Sequence, residues 1–246
     1  MSEAAIVFGL HAVRTLLSQH PQRVSQVLVQ KGRDDGRVAA IVQLAERAKV
    51  RVAVRDGQEL DRLAAGERHQ GVCAQIKSMG VLGEGALDEL LDKLTGPPLL
   101  LVLDGVQDPH NLGACLRTAD ATGVAAVIVP RDRAAGLSPT VRKVASGAAE
   151  TVPLIQVVNL VRTLRWLKER GIWTIGTDDE APKSLFETSL TGPMALVLGA
   201  EGQGLRRLTR EHCDALVSIP MRGVVESLNV SVATGVVLYE AVRQRQ

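Results

Sequence analysis

Leu99–Arg117 reads LLLVLDGVQDPHNLGACLR. Five consecutive apolar residues, Leu99–Leu103, have strand length, and their lack of alternation is that of a strand buried on both faces. Asp104 ends the run and a polar turn follows. Asn111 is placed to cap a helix that carries Arg117 about two turns in. Gly113 falls in the first turn of that helix, where a side chain would obstruct the close approach of a ligand. Taken alone, a capped helix with one solvated arginine explains the segment as well.

Working outward, the same alternation continues to the carboxyl end. Strands are predicted at Leu99–Leu103, Ala125–Val129, Val152–Ile155, Ile172–Gly176, Met194–Leu198 and Ala215–Ser218. Helices are predicted between them at Leu112–Ala121, Asn159–Glu169 and Ser227–Arg243. Apolar strands alternating with helices predict an α/β class domain whose parallel sheet is covered on both faces. Ligands of such sheets sit at the carboxyl ends of strands, so the loops there are the place to look for chemistry.

Toward the amino end, residues 1–77 form a smaller α/β pattern. It comprises helices at His11–Gln19 and Asp35–Ala48, the latter capped by Asp34 or Asp35, and strands at Val24–Val29, Arg51–Val54 and Val72–Ile76. The glycine-rich Ser78–Gly85 and the rigid Gly96-Pro97-Pro98 flank a short amphipathic helix at Ala86–Leu94. This punctuation predicts domains at 1–77 and 99–246 joined by a linker over 78–98.

Bulk properties narrow the class. The net charge of +2 does not mark a nucleic-acid binder, but residues 1–77 hold twelve Lys and Arg against eight Asp and Glu, whereas 78–246 are net −2. That asymmetry hints that the first part meets a polyanion. With only Phe8, Trp166, Trp173, Phe186 and Tyr239 as aromatics, base stacking does not dominate any such contact. Three scattered cysteines read as reduced, mostly buried thiols, and no His or Cys spacing suggests a metal. No run approaches the roughly 20 apolar residues of a membrane span, and MSEAAIVFGLHAV lacks a basic segment ahead of its apolar run. A soluble, cytoplasmic protein is expected.

Two further loops stand out. Leu198–Leu205, LGAEGQGL, places three glycines after a buried strand, with Glu201 its one carboxylate. The order G-x-x-G-x-G is not the dinucleotide fingerprint, which disfavours an oxidoreductase. Ile219–Ala233, IPMRGVVESLNVSVA, leads into a helix that Ser227 is placed to cap, and its Asn229 and Ser231 need partners among apolar neighbours.

Together the three segments resemble the motifs of the SpoU family of RNA ribose methyltransferases, in N-x-G-x-x-x-R at Asn111–Arg117, L-G-x-E-G-x-G at Leu198–Gly204 and I-P-M-x-G-x-x-x-S-L-N-V-S-V-A at Ile219–Ala233. VRKVASGAAE at Val141–Glu150 is similar to the family's intervening segment. GLHAVRTLL, KGRDDGR and HQGV, at Gly9–Leu17, Lys31–Arg37 and His69–Val72, resemble the family's L30e-like RNA-binding domain. Among members, the chain is most similar to those that methylate a guanosine 2′-hydroxyl in 23S ribosomal RNA.

The resemblance implies a trefoil knot in the catalytic domain, a homodimer formed through it, and S-adenosylmethionine (AdoMet) as methyl donor without a metal. It implies that Gly199, Ile219, Met221, Ser227 and Leu228 hold the donor, and that Asn111, Arg117, Glu201 and Asn229 surround the reacting ribose. Arg14, Lys31, Arg33 and Arg37 are the candidate phosphate contacts, which predicts salt-sensitive RNA binding. A methyltransferase of transfer RNA or of another ribosomal site, and a non-catalytic ribosome-assembly protein, stay open as alternatives.

Overall fold

The structure, a computed structural model, describes residues 4–33 and 35–246. It divides into two compact units that meet between Met79 and Gly80.

The first unit runs β1 (Ala4–Phe8), α1 (Leu10–Gln19), β2 (Val24–Gln30), α2 (Gly36–Arg47), β3 (Arg51–Arg55), α3 (Gly57–Leu63), β4 (Val72–Lys77). Its sheet has the order β1-β4-β2-β3, antiparallel except for the β2–β3 pair. Val13, Leu16 and Leu17 of α1 and Val38, Ile41 and Ala45 of α2 pack on one face, and Leu60 of α3 meets Leu28 and Cys73 on the other. Asp35 caps α2 by accepting from the Arg37 N–H at 2.8 Å. The alternative cap, Asp34, lies outside the described residues. Ala4–Phe8, to which periodicity assigns nothing, forms β1 and pairs along β4.

The second unit runs β5 (Val81–Leu82), α4 (Glu84–Lys93), β6 (Leu99–Asp104), α5 (Pro109–Ala121), β7 (Ala126–Pro130), α6 (Pro139–Ala145), β8 (Leu154–Val157), α7 (Leu160–Glu169), β9 (Trp173–Thr177), β10 (Met194–Gly199), α8 (Arg207–His212), β11 (Ala215–Val217), α9 (Val230–Gln244). Its seven strands are all parallel, in the order β11-β9-β10-β6-β7-β8-β5. The predicted parallel sheet is therefore present, with the six expected strands and β5 as an added edge.

β6 has the two-residue period that burial on both faces requires. Leu99, Leu101 and Leu103 pack with α5, α6 and α9, whereas Leu100 and Val102 pack with α4 and α7. Beyond Gly80 the expected linker is corrected. β5 adds to the sheet edge, Leu87 of α4 is buried, and Glu84 accepts from the Val158 N–H and from Arg162. A short strand and an amphipathic helix separated by glycines resemble a tether until their partners on β8 and α7 are known.

Of the three cysteines, Cys73 and Cys115 are buried and Cys213 is half-buried. Burial pushes Cys73 and Cys213 up to about 12 and Cys115 to about 11. Among the described residues no cluster of His, Cys, Asp and Glu suits a metal ion, and no helix is long and apolar enough to cross a membrane.

Candidate active site

Asp104 at the end of β6 lies in register opposite Gly199 at the end of β10. The chain departs from β6 in one direction, to β7 and β8, and later fills the sheet on the other side with β9 to β11. The carboxyl ends of β6 and β10 thus mark a topological switch point, where open parallel sheets bind ligands. All three loops singled out by sequence leave the sheet at this end.

The loop after β6 enters α5 through Asp108, whose side chain accepts from the His110 N–H at 2.9 Å, with Pro109 in the first turn. Asp108, not Asn111, is the cap, which leaves the Asn111 amide free for tertiary contacts. Gly113 also takes a different role. A Cβ there would lie 2.7 Å from the Val144 Cβ and 2.9 Å from the Val141 carbonyl oxygen, so the glycine admits α6 rather than a ligand.

The loop after β10 doubles back on itself. Gly204 N–H donates to the Ala200 carbonyl at 3.0 Å, and a Cβ on Gly199 would stand 2.0 Å from the carbonyl carbon of Gly204. Only glycine permits that crossing. It turns Glu201 toward α5 and α9.

The loop after β11 enters α9 through Asn229 rather than Ser227. Asn229 Oδ1 accepts from the Ser231 N–H at 2.9 Å and the Ser231 hydroxyl at 2.6 Å. With its oxygen committed to those donors, the amide nitrogen faces the other way. It donates to Asn111 Oδ1 at 3.1 Å and to Glu201 Oε2 at 3.2 Å, and Asn111 Nδ2 reaches the same Glu201 oxygen at 3.4 Å. Three residues separated by 28 to 118 positions therefore form one hydrogen-bonded triangle. Packing of α5 on α9 holds it together, with Cys115 Sγ 3.3 Å from Thr234 Oγ1 in the buried contact beneath.

Arg117 is not in the triangle. It lies about 9 Å along α5 from Asn111 and about 120° around its axis. Its side chain is exposed and makes no hydrogen bond or ion pair among the described residues.

Gly199, Ile219, Met221, Ser227 and Leu228 all line one cleft of about 440 Å³ beside the triangle, and Glu201 borders it. That volume suits a small-molecule ligand, for which roughly 300–1,000 Å³ is usual. Ile219, Leu228, Val230 and Ala233 give apolar walls. None of the backbone groups of Ile219–Leu228 pairs with another backbone group among the described residues, so donors and acceptors are available to a ligand's polar edge.

The far end of the cleft brings residues that sequence reasoning missed. Arg210 Nε lies 2.5 Å from Asp178 Oδ2, and Arg210 Nη2 lies 3.4 Å from Glu180. The signal was the polar run Asp178-Asp179-Glu180 at the carboxyl end of β9, where strand-end chemistry is expected.

In the first unit, Arg33 and Arg37 line a separate cleft of about 480 Å³, together with Arg68, Gln30 and Gln70. Both are partly neutralised by Asp35, at 3.6 and 3.2 Å, and hydrogen bonding from Arg37 holds the Asp35 carboxyl below its ordinary range. Arg14 and Lys31 are exposed but do not line that cleft.

The sequence profile of the SpoU rRNA Methylase family matches residues 98–239, and a profile described as RNA 2′-O ribose methyltransferase substrate binding matches residues 6–79. The 23S rRNA (guanosine-2′-O-)-methyltransferase RlmB of Pseudomonas aeruginosa is 58% identical over 245 residues, covering 100% of this chain and 98% of that protein. The protein of the same name from Ralstonia nicotianae is 56% identical over 245 residues, with coverage of 100% and 98%. Among solved structures, the SpoU methyltransferase AviRb from Streptomyces viridochromogenes in complex with AdoMet has a TM-score of 0.70 at 26% identity, covering 98% of this chain and 90% of that one. The TrmH/SpoU tRNA modifying enzyme of A. aeolicus gives 0.57 at 35% identity, covering 66% and 83%. With its three loops, their shared triangle and a matched catalytic unit, the chain belongs to the SpoU rRNA methylase family.

Proposed function

We infer that this protein transfers a methyl group from AdoMet to the ribose 2′-hydroxyl of a guanosine in 23S ribosomal RNA. The observation that carries the reading is the Asn111–Asn229–Glu201 triangle beside a cleft lined by all five residues expected to hold the donor. The substrate follows relatives of 53–58% identity along the whole chain.

AdoMet fits the cleft, with apolar walls for its adenine and uncommitted backbone groups at Ile219–Leu228 for its polar edge. When bound, it supplies a methyl group on a sulfonium whose departure leaves a neutral thioether, so no acid is needed at the leaving group. The chain must align the 2′-hydroxyl and ease loss of its proton. Alignment alone contributes on the order of 7–11 kcal/mol in favourable cases. Asn111 and Asn229 orient Glu201, and Asn111, which keeps one amide hydrogen and one lone pair uncommitted, presents them to the ribose. Arg117 holds an RNA phosphate and stabilises charge developing on the attacking oxygen. The fork of a guanidinium suits that role better than proton removal, since its pKa exceeds about 12.

The finer architecture belongs to the same proposal. The carboxyl-terminal segment threads a trefoil knot, as membership of the family implies. The chain forms a homodimer through this unit. Val232 and Tyr239 are exposed on α9 with Val236 half-buried beside them, an apolar stripe that a second copy would cover. The free guanidinium of Arg117 suits a site near a subunit boundary. The first unit is an L30e-like RNA-binding domain that contributes Arg14, Lys31, Arg33 and Arg37, with its cleft as the contact surface. The protein works in the cytoplasm without a metal.

Ser231→Ala is expected to slow methyl transfer about tenfold, the worth of roughly one hydrogen bond, because the hydroxyl that fixes the Asn229 amide is lost. AdoMet affinity should stay within about twofold, since Ser231 is not in the cleft wall. Single-turnover rates at saturating donor, with calorimetric titration, check both.

The function is tested by incubating labelled AdoMet with unmodified 23S RNA, transfer RNA and partly assembled large-subunit particles, then mapping the modified nucleotide. Label on one guanosine ribose of 23S RNA is expected. Label only on transfer RNA would keep the chemistry and overturn the substrate. No label on any of the three would favour a binding protein.

A further inference from the structure

β6 carries a carboxylate where its pattern calls for another apolar residue. The Asp104 side chain is 0% exposed. A buried charge of this kind is costly unless it is paired and hydrogen-bonded. Its partners come from one residue. Asp104 Oδ2 accepts from the Arg206 backbone N–H at 3.0 Å, and Arg206 Nε lies 3.3 Å from Oδ1. Oδ1 has no hydrogen bond of its own, so its compensation is the charge of the guanidinium. Gly105 makes room for that guanidinium, since a Cβ there would stand 3.1 Å from Arg206 Nη2.

Arg206 ends the glycine-rich loop and begins α8. The loop is thus fixed at both ends to the same strand pair. At its start Gly199 is in register with Asp104 across β10 and β6, and at its finish Arg206 returns to the Asp104 carboxylate. Between these anchors, Ala200–Gly204 border the cleft and Glu201 reaches Asn111 and Asn229. Arg206 is 44% exposed, so the pair spans from the core to the surface.

We propose that Asp104 is a positioning residue which, through Arg206, clasps the 200–205 loop shut against the methyl-donor cleft. The carboxylate touches neither donor nor RNA. It sets where the loop backbone and Glu201 stand before the donor arrives, so its removal acts on donor affinity. This rests on the reading of the cleft as the AdoMet site.

The test uses Asp104→Asn, Arg206→Gln, their double variant and Arg206→Lys, with AdoMet titrated by calorimetry and methyl transfer measured on 23S RNA. Asp104→Asn and Arg206→Gln are each expected to raise the AdoMet Kd and KM at least about tenfold, because each breaks a buried ion pair by removing one partner. KM for RNA should be unmoved. The double variant should be no weaker than the worse single variant, because both remove one interaction. Arg206→Lys, which keeps the charge, should recover affinity to within about threefold of the native chain. Should Asp104→Asn fail to fold, the exposed Arg206 substitutions carry the test alone. Native AdoMet Kd in folded Arg206→Gln, or a reduced binding stoichiometry at native Kd, would overturn the clasp. Absence of AdoMet binding by the native chain would overturn the cleft assignment itself, and the clasp with it.

Discussion

Gly199→Ala is expected to abolish AdoMet binding, raising its Kd by at least about 100-fold, or more than 2.7 kcal/mol. A Cβ at this position would stand 2.0 Å from the Gly204 carbonyl carbon, 2.1 Å from its oxygen and 2.3 Å from the Leu205 nitrogen. All three are backbone atoms, so no rotamer change relieves the overlap. β10 cannot retreat, because it is paired on both sides, with β6 and β9. The loop must move instead. That breaks the Ala200–Gly204 pairing and pulls against Arg206, held at Asp104. Overpacking a tight site typically costs about 1–3 kcal/mol and occasionally more, and here the strain falls on the segment that borders the donor cleft. Gly136→Ala, exposed and outside the cleft, is the matched control. Nothing lies within 4 Å of a Cβ there, so its affinity should stay within about twofold of native. Calorimetric titration of both variants decides the matter. Native affinity in a folded Gly199→Ala protein would mean that the cleft does not depend on this crossing.

The fold was legible where one physical cause dominated. β6 reads as a doubly buried strand because nothing polar interrupts Leu99–Leu103, and its residues divide between the two cores by alternation. Legibility failed where a distant partner decides between equal local choices. Ser227 and Asn229 are both good helix caps. Asn229 takes the role because the same residue also reaches Asn111 and Glu201, 118 and 28 positions away. Asn111 was misassigned for a different reason. Asp108 followed by Pro109 is itself a helix-start signal, with proline at the first position, and it outranks an Asn already inside the helix. Gly113 serves α6 rather than a ligand, a distinction that depends on where Val141 and Val144 pack. The residues proposed to hold the donor came from resemblance to a family. No spacing in the chain states that Gly199 and Leu228 share a cleft. Asp104 looked like the polar end of a strand, and only its burial against Arg206 gives it a role.

Arg117→Lys is expected to lower kcat at least about 100-fold while AdoMet affinity and thermal stability stay native. Stability is unaffected because the side chain is exposed and makes no ion pair among the described residues, and exposed substitutions of this kind usually move stability by less than about 0.5 kcal/mol. Donor affinity is unaffected because Arg117 does not line the cleft. Turnover suffers because lysine keeps the charge but loses the planar fork that grips a phosphate through two parallel hydrogen bonds. The pH profile separates this role from proton removal. If Arg117 were the base, lysine, with an ordinary pKa near about 10.4, would release its proton more readily than arginine. The variant's rate would then climb toward native as pH rises from 7 to 10. With a phosphate-holding and charge-stabilising role, the Lys variant stays impaired across that range. Single-turnover methyl transfer to 23S RNA, measured at saturating AdoMet over that pH range, distinguishes the two. Near-native turnover at pH 7 would mean that positive charge alone serves and the planar fork does not, whereas recovery with rising pH would return proton abstraction to Arg117.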